Sequence, residues 1–130
     1  MSHTILLIED NEQNRYLATF MLEQSGYRVV QADDGIRGIQ EAERLDPDLI
    51  LLDIQLPKMD GYAVAQALRT IPLLRDTPII AVTSYAMVGD REKSLAAGCN
   101  GYIEKPINPD TFVDEISRFL GGAPKTEDLS

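Results

Sequence analysis

Five short aliphatic runs, spaced along the chain by longer amphipathic segments, restrict its fold more than any other feature. Each has four or five residues, and most are rich in Ile, Leu and Val, as expected for parallel strands covered on both faces. The predicted strands are Thr4–Ile8, Arg28–Ala32, Leu49–Leu52, Ile79–Val82 and Gly101–Glu104. Strands that alternate with helices form right-handed βαβ units. We therefore predict an α/β protein with a doubly wound, flavodoxin-like (βα)5 sheet of strand order 2-1-3-4-5.

The segments between these runs have apolar residues at helical spacing. The predicted helices are Glu12–Gln24, Ile36–Leu45, Tyr62–Ile71, Ala86–Ala97 and Pro109–Leu120. Some apolar side chains are expected to face the sheet: Leu17, Phe20 and Met21 in the first helix, Ile36, Ile39 and Ala42 in the second, and Phe112, Ile116 and Phe119 in the last. The weak apolar face of Ala86–Ala97 is typical of a loosely held, movable element.

Four of the five runs end in a polar group that can bind phosphate or a divalent cation. These groups are, in chain order, Glu9 and Asp10, Asp53, Thr83 and Ser84, and Lys105 followed by Pro106. Ligands of open α/β sheets bind outside the carboxyl ends of the strands. The expected order also places the first and third strands side by side. The sequence therefore predicts one site that contains three carboxylates, a hydroxyl and an ammonium.

Three neighbouring carboxylates favour a bound cation. Two carboxylates ~4 Å apart repel each other by about 4 kcal/mol at an effective dielectric constant of about 20. Protonation or a cation would relieve this repulsion, and hard oxygen ligands around an open position suit Mg²⁺, with Mn²⁺ as the alternative. We expect Asp10 and Asp53 to bind the ion directly and Glu9 to bind it through water. The backbone carbonyl of Gln55, on the following loop, is the third expected protein ligand.

The same residues suit phosphoryl transfer. With the cation in place, Asp53 has a second expected role as a nucleophile that forms an aspartyl phosphate. Mg²⁺ would cover one phosphoryl oxygen, the Lys105 ammonium a second, and the Thr83 hydroxyl or a backbone N–H a third, with Ser84 as a further phosphoryl-binding residue. No histidine is needed for this scheme, and the only one, His3, is expected in a loose terminus.

Composition excludes several other classes of protein. The chain has 130 residues and a net charge of −9, and such an acidic surface repels nucleic acid. No apolar stretch reaches the ~20 residues of a membrane span, and we expect no signal peptide before Ile5. The single cysteine, Cys99, can form no internal disulfide, which favours a cytoplasmic location and a small buried thiol. We expect one domain over residues 1–121 and a flexible tail over residues 122–130.

The order and spacing of these motifs identify a family. From Ile5 to Leu120 the chain closely resembles a response-regulator receiver domain of the CheY-like superfamily. The matching motifs are Glu9-Asp10-Asn11, Asp53 with the loop that ends in Asp60-Gly61, Thr83-Ser84, and Lys105-Pro106. The chain looks most like DivK-type single-domain regulators and the receivers of hybrid kinases. Receivers have the strand order 2-1-3-4-5, so that prediction is not independent of the resemblance.

The resemblance implies a signalling role in a two-component or phosphorelay pathway. Asp53 would take a phosphoryl group from a phosphohistidine on a sensor histidine kinase or histidine phosphotransfer protein. Thr83 and Tyr102 would then act as the switch that changes the face formed by the fourth helix, fifth strand and fifth helix. The resemblance also implies a cis Lys105-Pro106 bond, and it places Gln55 and Tyr85 beside the path of attacking water.

The expected protein is a phosphoacceptor signalling domain that assists its own phosphotransfer and autodephosphorylation, and not an enzyme in the ordinary sense. Besides the kinase or phosphotransfer protein, it would have a downstream protein target. It would bind no nucleic acid and no membrane, and it would be a monomer or a weak, activation-linked dimer. We expect no DNA-binding or enzymatic output domain after Leu120.

Other function classes use parts of the same pattern. A flavin binder of this topology would need a Ser/Thr/Gly-rich phosphate loop after the first strand, where this chain has the acidic Glu9-Asp10. A phosphatase of the haloacid-dehalogenase type carries its aspartate nucleophile after the first strand, whereas Asp53 follows the third. A pseudo-receiver that only docks to partners is disfavoured by the intact set of Asp10, Asp53, Thr83 and Lys105. Taken singly, each of these could be an ordinary strand-end residue, and Thr83 or Ser84 could be a helix cap.

Overall fold

Five parallel strands form one sheet in this computed structural model, which describes residues 3–56, 58–84 and 88–120. The strands are Thr4–Ile8 (β1), Arg28–Ala32 (β2), Leu49–Asp53 (β3), Ile79–Thr83 (β4) and Gly101–Glu104 (β5). The helices are Glu12–Gln24 (α1), Gly35–Leu45 (α2), Gly61–Arg69 (α3), Val88–Ala96 (α4) and Phe112–Phe119 (α5), with a 3₁₀ turn at Pro72–Leu74. The strand order is β2-β1-β3-β4-β5, which confirms the predicted topology. The predicted tail over 122–130 and Tyr85 lie outside the described residues.

Alternate residues of the strands build two apolar cores, one on each face of the sheet. One core contains Leu6, Ile8, Ile50, Leu52, Ile79 and Ala81, and the other contains Ile5, Leu7, Leu49, Leu51, Ile80 and Val82. Helices α2 and α3 contribute to the first core, and α1 and α5 contribute to the second. Because successive strand side chains point to opposite faces and both faces are covered, β1, β3 and β4 need apolar residues at nearly every position. The unbroken runs of the sequence are a consequence of this burial.

Local side chains determine where the first three helices begin. The side chains of Asn11, Asp34 and Asp60 accept hydrogen bonds from backbone N–H groups in the first turns of α1, α2 and α3. Such caps satisfy donors that have no partner within the helix. Gly26, just after α1, has a φ of 92°, in the left-handed region that favours glycine. The three side-chain caps therefore define where α1, α2 and α3 begin, and Gly26 allows the chain to turn just after the end of α1.

The predicted inward face of α1 was partly wrong. Leu17 is 43% exposed and Phe20 is 50% exposed, whereas Ala18 and Leu22 are buried against the sheet. The helix is rotated so that this i, i+4 pair faces the core, and Met21 packs at its margin. As a result, α1 presents exposed apolar side chains on its outer surface.

In α2, the expected inward position of Ile36 was also wrong, because this side chain is 61% exposed. The buried residues are Gly35, Gly38 and Ala42. A Cβ atom at Gly38 would lie 2.4 Å from Cδ1 of Ile8. The helix thus approaches β1 so closely that only small residues fit at the contact, and a search for large apolar residues identifies the wrong face.

The last helix and the N-terminal residue His3 also differ from the prediction. Helix α5 begins at Phe112 and not at Pro109, because the Asn108 side chain accepts from Asp110 N in a turn that precedes the helix. His3 is not in a loose terminus, since its carbonyl oxygen accepts from Arg28 N at 2.9 Å.

Within the described ranges, no helix combines the length and the apolar character needed to cross a membrane.

Candidate functional site

The carboxyl ends of four strands meet at one edge of the sheet and carry the predicted site residues. Asp53, the last residue of β3, pairs in register with Val82 of β4. Lys105 follows β5, and its backbone N–H donates to Thr83 O at 2.8 Å. Glu9 follows β1, and its backbone N–H donates to Ala32 O of β2 at 3.0 Å. Main-chain hydrogen bonds of the sheet thus position the side chains on both sides of Asp53.

Three carboxylates form a cluster at this edge. Glu9, Asp10 and Asp53 each offer an oxygen atom, and these atoms lie within 4.8 Å of one another. Asp53 is 3% exposed and Glu9 is 4% exposed, whereas Asp10 is exposed to solvent. The arrangement has one side open to water and one side enclosed by protein, as a site must have if a small ligand is to enter it.

The Lys105 ammonium bridges two of these carboxylates. Its Nζ lies 3.2 Å from Glu9 Oε1 and 3.2 Å from Asp53 Oδ1. Burial alone would lower the pKa of Lys105, but the charges of Asp53 and Glu9 outweigh burial and raise it. The lysine is therefore charged at neutral pH. The Lys105-Pro106 peptide bond is cis, as the resemblance implied.

One ammonium does not compensate the buried acids completely. Burial, together with the hydrogen bond and repulsion from Asp53, raises the pKa of Glu9 to about 7, despite the opposing effects of Asn11 N–H and Lys105. Glu9 can therefore hold a proton near neutral pH in the metal-free protein. Oxygen donors that repel one another and are open on one side fit a hard divalent cation, which would replace that proton.

Arg15 positions the backbone of the acidic pair. Its guanidinium Nη1 donates to the carbonyl oxygens of Glu9 and Asp10, each at 2.9 Å. These contacts hold the turn between β1 and α1 from the side of the helix. Arg15 was not predicted from the sequence as a site residue. The one indication of its role was that it lies near the start of α1, which begins just after the acidic motif.

A close backbone approach supports the other side of the site. Gly61 N donates to Ile54 O at 3.2 Å, directly after the strand that carries Asp53. A Cβ atom at Gly61 would lie 2.4 Å from Ile54 Cα and 2.8 Å from Asp53 O. Only glycine fits between α3 and the end of β3. The glycine at the end of the loop after Asp53 is therefore a steric requirement of the site.

Gln55 links the Asp53 carboxylate to the end of β4. Its backbone N–H donates to Asp53 Oδ1 at 2.9 Å. Its side-chain oxygen Oε1 accepts from Ser84 N at 2.9 Å and from Ser84 Oγ at 2.6 Å. The sequence predicted the Gln55 backbone carbonyl as a ligand and Ser84 as a phosphoryl contact or helix cap, and the resemblance placed Gln55 beside the path of attacking water. The contact between the two side chains depends on the approach of two loops, which no local pattern encodes.

The two predicted switch residues lie on adjacent strands. Thr83 is buried at the end of β4. Tyr102 of β5 is half-buried at the margin of the first core, and the Arg91 guanidinium carbon lies 5.9 Å from its ring centroid. A cleft of about 310 Å³ beside this ring is lined in part by Arg91, Ser94 and Phe119. Tyr102 therefore lies between the sheet and an open surface formed by α4, β5 and α5.

A second cleft, of about 350 Å³, adjoins the carboxylate cluster. Its lining comes from α1 and from the ends of β4 and β5: Asn14, Leu17, Ser84, Lys105, Pro106 and Ile107. Tyr16 and Phe20, which stack on each other with ring centroids 6.4 Å apart, are exposed on the same helix. The entrance to the site is thus bordered by apolar surface.

Comparisons with known proteins find relatives that share the family and the fold. Residues 5–117 match the family described as the response regulator receiver domain. The polar-differentiation response regulator DivK of Brucella ovis is 41% identical over 123 residues, which are 95% of this chain and 100% of that protein. The chemotaxis protein CheY4 of Vibrio cholerae has a TM-score of 0.89 and 28% identity, and the match covers 92% of this chain and 100% of that one.

A further solved structure has a ligand in its site. It is the receiver domain of the sensor histidine kinase PA1611 from Pseudomonas aeruginosa, with a magnesium ion coordinated in the active site cleft. It has a TM-score of 0.86 and 40% identity, and the match covers 94% of this chain and 100% of that chain. Similarity in sequence and in fold thus extends over nearly the whole chain.

Proposed function

Because this chain belongs to the response regulator receiver domain family, we propose that it acts in two-component signalling by accepting a phosphoryl group on Asp53. The donor would be a phosphohistidine of a sensor histidine kinase or a histidine phosphotransfer protein. The observation that carries this proposal is the position of the Lys105 ammonium, 3.2 Å from the buried Asp53 carboxylate, within a cluster of three acids. A nucleophilic carboxylate beside a fixed cation is the arrangement that phosphoryl transfer requires.

The proposed cofactor is Mg²⁺, or Mn²⁺ in its place. Asp10 and Asp53 would hold the ion directly, Glu9 through water, and Gln55 through its backbone carbonyl. The mutual approach of the three carboxylates and the raised pKa of Glu9 support a cation here, and so does the magnesium of the PA1611 receiver. When bound, the ion would neutralise the carboxylates and the charge that develops on the phosphoryl oxygens.

The protein's own residues would perform the transfer by position and charge. An oxygen of Asp53 attacks phosphorus, a P–O bond forms as the P–N bond of the donor breaks, and the imidazole nitrogen leaves with the electron pair. Lys105 binds one phosphoryl oxygen, while Thr83 and Ser84 supply further donors. Arg15 and Gly61 keep the backbone of the site in place through the contacts described above.

Two surfaces would carry the signal in and out. The apolar border of the 350 Å³ cleft, formed by Leu17, Pro106 and Ile107, suits the protein that presents the phosphohistidine. Thr83 and Tyr102 would couple the site to the α4-β5-α5 surface, where a downstream protein would bind. The half-buried ring of Tyr102, next to an open cleft, supports a side chain that can pack in two ways.

Incubation with acetyl phosphate and Mg²⁺, followed by intact-mass analysis, tests the proposal. The wild type should gain one phosphoryl group that alkaline hydroxylamine removes, as expected of an acyl phosphate. Asp53→Asn should gain none, Lys105→Met far less, and chelation of the metal should abolish the gain. Asp33→Asn is the matched control, because Asp33 is an exposed acid just after β2, at the same edge of the sheet. Labelling of Asp53→Asn at the wild-type level would refute the assignment of the acceptor.

A wild type that gains no phosphoryl group would contradict the proposed function itself. Phosphorylated candidate kinases must be tested as donors before that conclusion is drawn. Failure with every donor would favour the pseudo-receiver, a docking module without phosphotransfer. Circular dichroism of each variant would exclude unfolding as the cause of a lost signal.

A further inference from the structure

We propose that the Gln55 side chain is a positioning residue that holds Ser84 in the unphosphorylated protein and releases it to the phosphoryl group. This inference rests on the proposed function, because it assumes that Asp53 becomes phosphorylated. It assigns to the Gln55 side chain a role at the end of β4 that is separate from the role of its backbone carbonyl. The Gln55 oxygen and the phosphoryl oxygens would compete for the N–H and the Oγ–H of Ser84. This competition would set the balance between the arrangement in which Gln55 holds Ser84 and the one in which the phosphoryl group does.

Gln55 contacts both partners in this competition. Its backbone N–H donates to Asp53 Oδ1 at 2.9 Å, and its carboxamide oxygen accepts both Ser84 N–H, at 2.9 Å, and Ser84 Oγ–H, at 2.6 Å. A single neutral oxygen thus takes both donors of one residue. The loop after β3 and the segment after β4 are thereby joined across the mouth of the site.

Ser84 is placed where a phosphoryl group on Asp53 would compete for it. Ser84 and Lys105 line the same cleft, and the Lys105 ammonium lies 3.2 Å from Asp53 Oδ1. Asp53 pairs with Val82 in register, so Ser84 lies two residues further along, about 7 Å in an extended chain. A phosphoryl group on Asp53 projects from the strand end into this interval. Its oxygens would come within reach of the donors that Gln55 now occupies.

Charge favours the phosphoryl group over the carboxamide. A phosphoryl group has three strong acceptor oxygens and roughly two negative charges, whereas the Gln55 oxygen is neutral. Hydrogen bonds to charged acceptors are roughly twice as strong as those between neutral groups. Ser84 should therefore move from Gln55 to the phosphoryl group when Asp53 is modified. Because Ser84 follows Thr83 directly, this movement would involve the end of β4, which carries the predicted switch residue Thr83.

Three variants of Gln55 and Ser84 test the competition with Mg²⁺-beryllofluoride, a non-covalent phosphoryl mimic, by calorimetry. Gln55→Ala keeps the backbone carbonyl but frees Ser84, so it should bind the mimic about 2- to 10-fold more tightly, the range expected for one neutral hydrogen bond. Gln55→Glu holds Ser84 with a charged acceptor and repels the mimic, so it should bind more weakly than the wild type. Ser84→Ala removes one of the two donors and should also weaken binding. Gln66→Ala, an exposed glutamine on α3, is the matched control.

Hydrogen exchange of the Ser84 amide provides a second measurement that a merely structural role would not change. Without the mimic, this amide should exchange faster in Gln55→Ala than in the wild type. With the mimic bound, both proteins should protect it equally. If the wild type binds the mimic but Gln55→Ala matches it in affinity and in Ser84 exchange, the inference is overturned and the proposed function stands. If the wild type neither binds the mimic nor accepts a phosphoryl group, the proposed function itself fails.

Discussion

Replacement of Glu9 by glutamine tests whether the acidic cluster is under electrostatic strain without a metal. Glu9 is buried, and its pKa is raised from an ordinary 4.5 to about 7. A carboxyl group with a raised pKa binds more protons in the folded than in the unfolded protein between these two values. The stability it contributes is complete below its unfolded pKa and is lost as the pH rises through its folded pKa. Metal-free wild type should therefore lose stability with rising pH in this window.

The size of the effect follows from the shift. Each unit of pKa corresponds to about 1.4 kcal/mol, so the difference from 4.5 to about 7 amounts to at most about 3 kcal/mol. Glutamine cannot ionise, but its NH2 group would replace one of the two Glu9 oxygens, of which one lies by Lys105 Nζ and the other accepts from Asn11 N–H. The lost acceptor costs about 1 kcal/mol. We expect Glu9→Gln to be slightly less stable than wild type at about pH 5 and about 2 kcal/mol more stable at about pH 8.

Urea denaturation with a chelator at several pH values measures this crossover. Glu12→Gln, at an exposed position at the start of α1, removes the same charge without burial and should show no comparable pH-dependent difference from wild type. Added Mg²⁺ should reverse the order at about pH 8, because the wild type would bind the ion more tightly and gain more stability from it. A constant difference between Glu9→Gln and wild type across the whole range would refute the reasoning, since Glu9 would then ionise alike in both states.

Other predictions concern the support of the site and the opposite end of the sheet. Gly61→Ala should lower the free energy of unfolding by about 3 kcal/mol, because its Cβ would lie 2.4 Å from a backbone atom of Ile54. Gly89→Ala, whose Cβ would have nothing within 4 Å, should raise the free energy of unfolding by up to about 1 kcal/mol. Urea titration of both variants measures the contrast. The Arg69 guanidinium donates to the carbonyl oxygens of Leu74, Thr77 and Gly98. Arg69→Met leaves these oxygens without that donor and should cost about 3 kcal/mol by the same assay, while equal stability would show that water replaces the guanidinium. Burial raises the pKa of the Cys99 thiol to about 11 from an ordinary 9.0, so iodoacetamide should react with it at least about 100-fold more slowly in the folded than in the unfolded protein.

The strands could be predicted because burial on both faces leaves a local mark. Ile5 to Ile8 and Leu49 to Leu52 have no polar residue, since each side chain enters one of the two cores. The polar residues that end the runs could also be read directly. The family resemblance supported the same strand order, which the structure has.

Helix orientation was less predictable. Leu17, Phe20 and Ile36 fit helical spacing, yet all three are exposed. Large apolar side chains predict an inward face only where the helix stands far enough from the sheet to accommodate them. At Gly38, where α2 meets Ile8, the opposite holds, and small residues mark the buried face. Close packing therefore reverses a rule based on residue size alone.

The amino-acid sequence by itself determined the alternation of strands and helices and the residue types at each strand end, because both depend on neighbours along the chain. Only the tertiary structure decided which atoms meet: Lys105 between two carboxylates, the guanidinium of Arg15 on the backbone of the acidic pair, and the Gln55 oxygen on both donors of Ser84. It also decided the protonation of Glu9, since a pKa depends on burial and on charges a few ångströms away. The contacts of Lys105 and Gln55 join residues that are far apart in the chain, and their distances arise only when the sheet brings the strand ends to a common edge.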